Sequence, residues 1–177
     1  ICILKPIISS LGKGIRKVET TLENSILLKE LLKEYSNGFV LEELINQSED
    51  LSLLHPQSVN TLRVHTILTE GGEVIVFKPY LRMGRGASIV DNAGSGGIFT
   101  SVDFESGIIT KAVDESGNSY YEHPDTKVNL IGFKIPKWRE AIELSKNLAM
   151  IVPQNRYTGW DLALTNDGWV MVEGNTR

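Results

Sequence analysis

The stretch that decides the fold is "GWDLALTNDGWVMVEGNTR", residues 159–177. Two apolar runs flank the polar "TNDG", which is the pattern of a β-hairpin. Each run nevertheless carries polar groups where a core face is expected: Asp161 on the first, Glu173 and Asn175 on the second. Directly opposed side chains of a hairpin share a face, with Cβ atoms about 5 Å apart. If Asn166-Asp167-Gly168 form a three-residue loop with Gly168 left-handed, Thr165 pairs with Trp169, Ala163 with Met171 and Asp161 with Glu173. Asn175 then lies on the same face. If Asp167-Gly168 is instead a two-residue turn, Asp161 falls opposite Gly174 and the two acids part to opposite faces. Turn chemistry alone does not choose between these registers. In the first, the paired carboxylates repel unless one is protonated or a cation sits between them. Oxygen-only ligands suit Mg²⁺, which completes its shell with water and substrate phosphates.

A metal held by so few protein oxygens calls for phosphate-binding groups elsewhere in the chain. Lys5 lies in the apolar run "ICILKPII", where an unpaired ammonium is costly and a negative partner is expected. Gly12-Lys13-Gly14 follows as a flexible loop rich in backbone donors. It is not a Walker A motif, because Lys13 is followed by Gly rather than Ser or Thr. Glu42 and Glu43 in "FVLEELI" can accept hydrogen bonds from ribose hydroxyls. Arg63 interrupts "NTLRVHT", and Lys78, Arg82 and Arg85 gather around the next strand and its loop. Arginine suits two-pronged phosphate contact better than lysine.

Around these residues the chain reads as α+β. A strand, the loop and a helix in "TTLENSILLKELLKEYSNG", capped at Asn37-Gly38, lead to the strand "FVLEELI". The polar, irregular stretch "NQSEDLSLLHPQS" marks a boundary between subdomains. A hairpin around Glu70-Gly71-Gly72, the Gly-rich loop "GRGASIVDNAGSGG" and further short strands follow. A helix opened by Pro136 precedes the closing hairpin. Strand-helix-strand followed by a mainly antiparallel sheet backed by a helix is an α+β arrangement. Trp138, Trp160 and Trp169 read as core residues, and His55, His65 and His123 lack metal-ligand spacing.

Bulk composition narrows the function. The chain has 177 residues, 41% hydrophobic and 23% charged, with a formal net charge of −4, and this disfavours nucleic acid as a partner. One cysteine, Cys2, allows no intrachain disulfide and fits a reducing, cytoplasmic setting. No apolar run reaches the roughly 20 residues of a membrane span. Beginning inside a strand and stopping after "EGNTR", the chain reads as a fragment, with structure expected on both sides.

Taken in order, these segments resemble the ATP-grasp superfamily, in particular its sugar-transferase-associated branch and the alpha-L-glutamate-ligase-like enzymes. "ILKPIISSLGKGI" looks like the phosphate-lysine strand and Gly-rich loop, and "FVLEELI" like the strand that meets adenine and ribose. "NTLRVHT" is similar to the strand with the phosphate-binding arginine, and "FKPYLRMGRGASIVDNAGSGG" to the basic strand leading to Asn and Gly-Gly. "GWDLALTNDGWVMVEGNTR" looks like the paired metal-binding strands.

The resemblance implies an ATP-grasp fold, two α+β subdomains clamping a nucleotide, without the family's preceding domain. It places a small subdomain at residues 1–50 and a large one at 51–177, with the boundary near 46–58. It supports the three-residue turn. It implies ATP and Mg²⁺, with Mn²⁺ as a substitute, and Asp161, Glu173 and Asn175 as metal ligands. Lys5, Ser9, Gly12, Lys13 and Gly14 would meet the nucleotide phosphates, Glu42, Glu43, Leu44 and Ile45 adenine and ribose, and Asn92 metal or phosphate. Arg63 would meet the transferred phosphoryl group, with Lys78 and Arg82 as further catalytic candidates.

The implied activity is ATP-dependent joining of a small-molecule carboxylate to an amine through an acylphosphate, in cell-envelope or polysaccharide modification. Alternatives are a nucleotide-binding module without turnover and a phosphotransferase acting on a hydroxyl. Removing Asp161 or Glu173 is expected to abolish Mg·ATP-dependent phosphate release and leave the fold intact.

Overall fold

A computed structural model describes residues 2–8, 14–19, 21, 25–35 and 37–176. The loop candidates Ser9, Gly12 and Lys13 lie outside the described residues. The chain separates into two compact units, Ile1–Ile45 and Asn46–Arg177.

The first unit is a three-stranded antiparallel sheet, with strands β1 (Cys2–Pro6), β2 (Arg16–Val18) and β3 (Phe39–Glu43) in the order β2-β1-β3, and a helix α1 (Ser25–Lys33). Its small core gathers Leu4, Val18 and Tyr35, with Leu31, Leu32 and Phe39 packed against them. Among the described residues of "ICILKPII" Leu4 alone is buried, and Ile7 and Ile8 are exposed. A three-stranded sheet with one helix covers one face, so alternate residues of β1 stay near solvent.

The second unit begins at Asn46, the first residue of the polar stretch, rather than at residue 51. "NQSEDLSLLHPQS" is ordered: Ser48 caps the short helix α2 (Glu49–Ser52), and Leu51 and Leu54 are fully buried in the main core. Gln47 Oε1 accepts from Asn60 N at 2.6 Å, and Asn60 Nδ2 donates to Leu51 O at 2.8 Å and His55 O at 3.0 Å. Side-chain amides satisfy the loop backbone here, which lets a segment without regular ladders be buried.

The large sheet holds β4 (Thr61–Leu68), β5 (Val74–Val76), β6 (Tyr80–Met83), β7 (Ile98–Val102), β8 (Ile109–Asp114), β9 (Tyr157–Thr165) and β10 (Gly168–Thr176). Its order is β10-β9-β4-β6-β7-β8, with β5 also paired to β4, and every pairing is antiparallel. Leu62, Val64, Leu81, Met83, Ile98, Trp160, Leu162 and Leu164 point to one face, on which helix α3 (Trp138–Ile151) packs over β4, β5, β9 and β10. Trp138, Ala141, Ser145 and Ala149 are the buried positions of α3, at the three-to-four spacing of a helix with one apolar face. All three tryptophans lie in this core.

The closing hairpin corrects the expected turn. Thr165 pairs with Gly168 rather than Trp169, so the loop is the two residues Asn166-Asp167, and Gly168 opens β10 at φ +142°. This ladder runs to Leu162↔Met171 and then slips by one residue at a β-bulge, after which Asp161 stands opposite Glu173 and Gly159 opposite Asn175. A bulge sets two residues against one and shifts the alternation of faces. The acids meet through a shorter loop and a bulge, not through the longer loop.

Candidate functional site

The face of the large sheet turned away from α3 is polar because the alternation of three strands places it so. Arg63 on β4 pairs directly with Asp161 on β9, and Asp161 with Glu173 on β10. Tyr80 on β6 extends this row beyond Arg63. The next row is His65, Gly159 and Asn175. A Cβ at Gly159 would lie 3.0 Å from the His65 ring and 3.4 Å from Arg63 Cδ, so glycine makes room for both side chains. Tyr157 stacks on His65, with centroids 5.8 Å apart and planes at 10°. Burial, then the Arg63 charge, pushes the His65 imidazole below its ordinary value.

Asp161 is the centre of the site. Its side chain is 3% exposed and its carboxylate is gripped by two arginines. Arg63 donates through Nε to Oδ1 and through Nη2 to Oδ2 at 2.9 Å, and Arg82 Nη2 lies 2.9 Å from Oδ2. Burial alone would raise the Asp161 carboxyl; the Arg63 hydrogen bond and the Arg82 and Arg63 charges outweigh it and hold it below the usual range. Asp161 in turn raises the Arg63 guanidinium. Glu173 is exposed and stands opposite Asp161 in the ladder. Asn175 Nδ2 donates to Glu173 Oε1 at 3.2 Å and to Gly159 O at 3.4 Å.

Two residues that the sequence reading passed over complete the cluster. Thr61 Oγ1 accepts from Arg82 Nε at 3.1 Å and Nη2 at 2.7 Å, and donates to Asp91 Oδ2 at 2.5 Å. Thr61 N also donates to Asp91 Oδ2, at 2.9 Å. Asp91 is buried; that burial raises its carboxyl, and Arg82 and Thr61 pull it back only in part. Thr61 stands two residues before Arg63, and Asp91 directly before Asn92, so strand alternation and the polar loop were the available clues.

Other candidates lie apart from this cluster. Lys78, between β5 and β6, is exposed and forms no ion pair among the described residues. Arg85 turns to Tyr120 OH at 2.6 Å and Asp114 at 3.5 Å, so the expected trio of Lys78, Arg82 and Arg85 is dispersed. Asn92 holds its loop through its backbone oxygen, which accepts from Ser95 N at 3.0 Å and Gly97 N at 3.1 Å; its side chain makes no hydrogen bond among the described residues. His55 and His123 are buried and bind backbone oxygens, Gly86 O at 3.0 Å and Gly84 O at 2.9 Å, at the base of the Gly-rich loop.

In the first unit, Lys5 Nζ lies 2.5 Å from Glu42 Oε2, so the phosphate-lysine and ribose-acid candidates neutralise each other. Glu43 is exposed opposite Cys2, and Leu44 and Ile45 are half-buried. Gly14, at φ +77°, accepts a hydrogen bond from Tyr35 OH at 2.7 Å and lines a pocket with Pro6, Arg16, Glu34 and Gly38.

The set Asp161, Glu173 and Asn175 fits Mg²⁺ by chemistry, with hard oxygen donors on one face. Among the described residues no group of three His, Cys, Asp or Glu side chains forms a metal cluster, so the set has two carboxylates and an amide. A carboxylate has about four lone-pair sites. Three of those on Asp161 face guanidinium donors, which leaves one, on Oδ1, for a metal with both arginines in place.

Among curated proteins none matches the sequence. Among solved structures, the ADP complex of PurK, N5-carboxyaminoimidazole ribonucleotide synthetase, superposes with a TM-score of 0.56 at 15% identity over 99% of this chain. The present chain spans 34% of that one, and at this identity the likeness concerns the fold, an ATP-grasp-like α+β fold. Among the described residues no helix is long and apolar enough to cross a membrane. The family model for the sugar-transfer associated ATP-grasp matches residues 2–177, and the chain belongs to that family.

Proposed function

We propose that this chain is the nucleotide-binding part of an ATP-dependent ligase that joins a carboxylate to an amine. The observation that carries the reading is the row Arg63–Asp161–Glu173, with Arg82 and Asn175 beside it, on the polar face of one sheet. Arginine and carboxylate groups in one row suit an anionic, metal-chelated substrate better than an acyl-enzyme route. No serine or cysteine nucleophile stands beside a histidine base in this cluster.

In this reading Asp161, Glu173 and Asn175 hold Mg²⁺, and Mn²⁺ in its place. Bound there, the ion would neutralise charge on the phosphates of ATP. Arg63 and Arg82 would grip the transferred phosphoryl group through the guanidinium nitrogens that Asp161 does not hold. A substrate carboxylate oxygen attacks the terminal phosphorus, ADP leaves, and an amine displaces phosphate from the acylphosphate. The residues serve alignment and charge balance, which is most of what such a transfer needs. Lys5, Gly14 and the segment Glu42–Ile45 of the first unit would contact the nucleotide, with Ser9, Gly12, Lys13 and Asn92 on the phosphates and Lys78 closing from solvent. The division into a small subdomain at residues 1–50 and a large one at 51–177 is supported by the two compact units Ile1–Ile45 and Asn46–Arg177. Cell-envelope or polysaccharide modification in the cytoplasm is the proposed setting, with no nucleic-acid partner.

The test is ADP release by the full-length protein with Mg·ATP and pools of carboxylates and amines. Glu173→Gln is expected to abolish it with the fold unchanged. ADP release that needs a carboxylate but survives Glu173→Gln would end the metal assignment. The closure of Asp161 by two guanidiniums supports a second reading, a nucleotide-binding module without turnover. Nucleotide binding without ADP release under any substrate pool would favour it.

A further inference from the structure

The buried carboxylate of Asp91 has no part in the chemistry above, yet it touches the cluster at a decisive point. Thr61 Oγ1 has one proton and two lone pairs. The proton goes to Asp91 Oδ2 at 2.5 Å, and both lone pairs face Arg82, at 3.1 Å from Nε and 2.7 Å from Nη2. The hydroxyl is therefore fully committed, and Asp91 sets its direction. Without that acceptor the hydroxyl proton has no fixed direction, and the lone pairs that hold Arg82 are no longer aimed at it. Asp91 Oδ2 also lies 3.6 Å from Arg82 Nε, so its charge adds to the balance of the guanidinium. Asp91 is itself fixed: Thr61 N binds it, and Gly97 packs so closely that a Cβ there would lie 2.4 Å from Asp91 O.

Resting on the reading of Arg82 as a phosphate ligand, we propose that Asp91, acting through the Thr61 hydroxyl, is the positioning residue that aims Arg82. The Nε and Nη2 groups are held by Thr61 and Asp161, and the Nη1 edge is left for the terminal phosphoryl group of a nucleoside triphosphate.

The experiment measures binding of Mg·AMP-PNP and Mg·ADP to the full chain by calorimetry, with tryptophan fluorescence confirming the fold of each variant. Arg82→Ala is expected to weaken Mg·AMP-PNP by about tenfold and Mg·ADP by less than about twofold, the loss of one charge-assisted hydrogen bond. Asp91→Asn and Thr61→Val are expected to reproduce that loss of selectivity, Thr61→Ser to restore it, and Asp91→Asn to add nothing in the Arg82→Ala background. Equal weakening of both nucleotides by Asp91→Asn, or a further loss on top of Arg82→Ala, would overturn the proposal as a merely structural role. If Arg82→Ala alters selectivity while Asp91→Asn and Thr61→Val do not, this inference fails and the phosphate reading stands. If Arg82→Ala itself leaves selectivity unchanged, both fall together.

Discussion

Asp161 and Glu173 face each other across one pair of strands, yet their removal should have very unequal consequences for stability. Asp161→Ala strips the shared partner from Arg63 and Arg82, whose side chains are 17% and 13% exposed. Truncating one side of a buried ion pair leaves the other charge uncompensated and costs about 3–5 kcal/mol. At about 2–4 °C per kcal/mol for a chain of this size, the melting temperature should fall by roughly 6–20 °C. Glu173 is exposed and its substitution by Gln keeps the acceptor for Asn175, so its effect should stay within about 0.5 kcal/mol. Trp138, Trp160 and Trp169 are all buried in the second unit, so thermal unfolding followed by tryptophan emission reports on that unit alone. The earlier expectation that removing either acid leaves the fold intact therefore applies to Glu173 only. If Asp161→Ala melts within about 2 °C of the parent, the guanidinium grip contributes little and this reasoning is wrong.

Three further outcomes follow from the same packing. Asp114 accepts hydrogen bonds from Asn118 and Tyr120, which hold its carboxyl at about 2. A depressed carboxylate stabilises the fold above its unfolded value of about 3.9 and loses that contribution as pH falls toward about 2, so Asp114→Asn should flatten acid unfolding across that window. Gly84→Ala places a Cβ 2.5 Å from Ser58 Oγ and 2.7 Å from His55 Nδ1, both buried, and should cost about 1–3 kcal/mol by chemical denaturation. Burial lowers the His123 imidazole below its ordinary value, so stability should decline as pH drops below about 6.5, where the unfolded chain takes up the proton first. His123→Gln should lessen that slope, the remainder belonging to His65, and a slope unchanged in the variant would assign it elsewhere.

Much of the fold was legible because it follows from periodicity. Alternation in "NTLRVHTIL" accounts for Arg63 on the polar face, and the helical spacing from Trp138 to Ala149 for a cover on the other. The hairpin pairing of Asp161 with Glu173 was legible as an outcome but not as a route. A bulge leaves little trace in local sequence, since Met171, Val172 and Glu173 each suit a regular strand. The burial of "NQSEDLSLLHPQS" was hidden for a similar reason. Its backbone is satisfied by Gln47 and Asn60, whose partners lie up to 13 residues away or across a turn, and polar composition reads the same whether amides face solvent or backbone. Asp91 and Thr61 escaped notice because neither belongs to a motif; only the ladder and the returning loop bring them to Arg82. The dispersal of Lys78 and Arg85 shows the converse, that nearness in sequence around a strand end says little about where long cationic side chains settle.

The extra residue in β10 uncouples the tip of the hairpin from its base. Phase is set once at Asn166-Asp167 and reset between Met171 and Glu173. Excising Val172 would straighten the strand and carry Glu173 into the slot already facing Asp161, while one added residue at the tip would shift the bulge without moving the acids apart. The hairpin thus behaves like a slip joint. Its outer loop is free to change length by one, and the oxygen-bearing row beneath keeps its alignment.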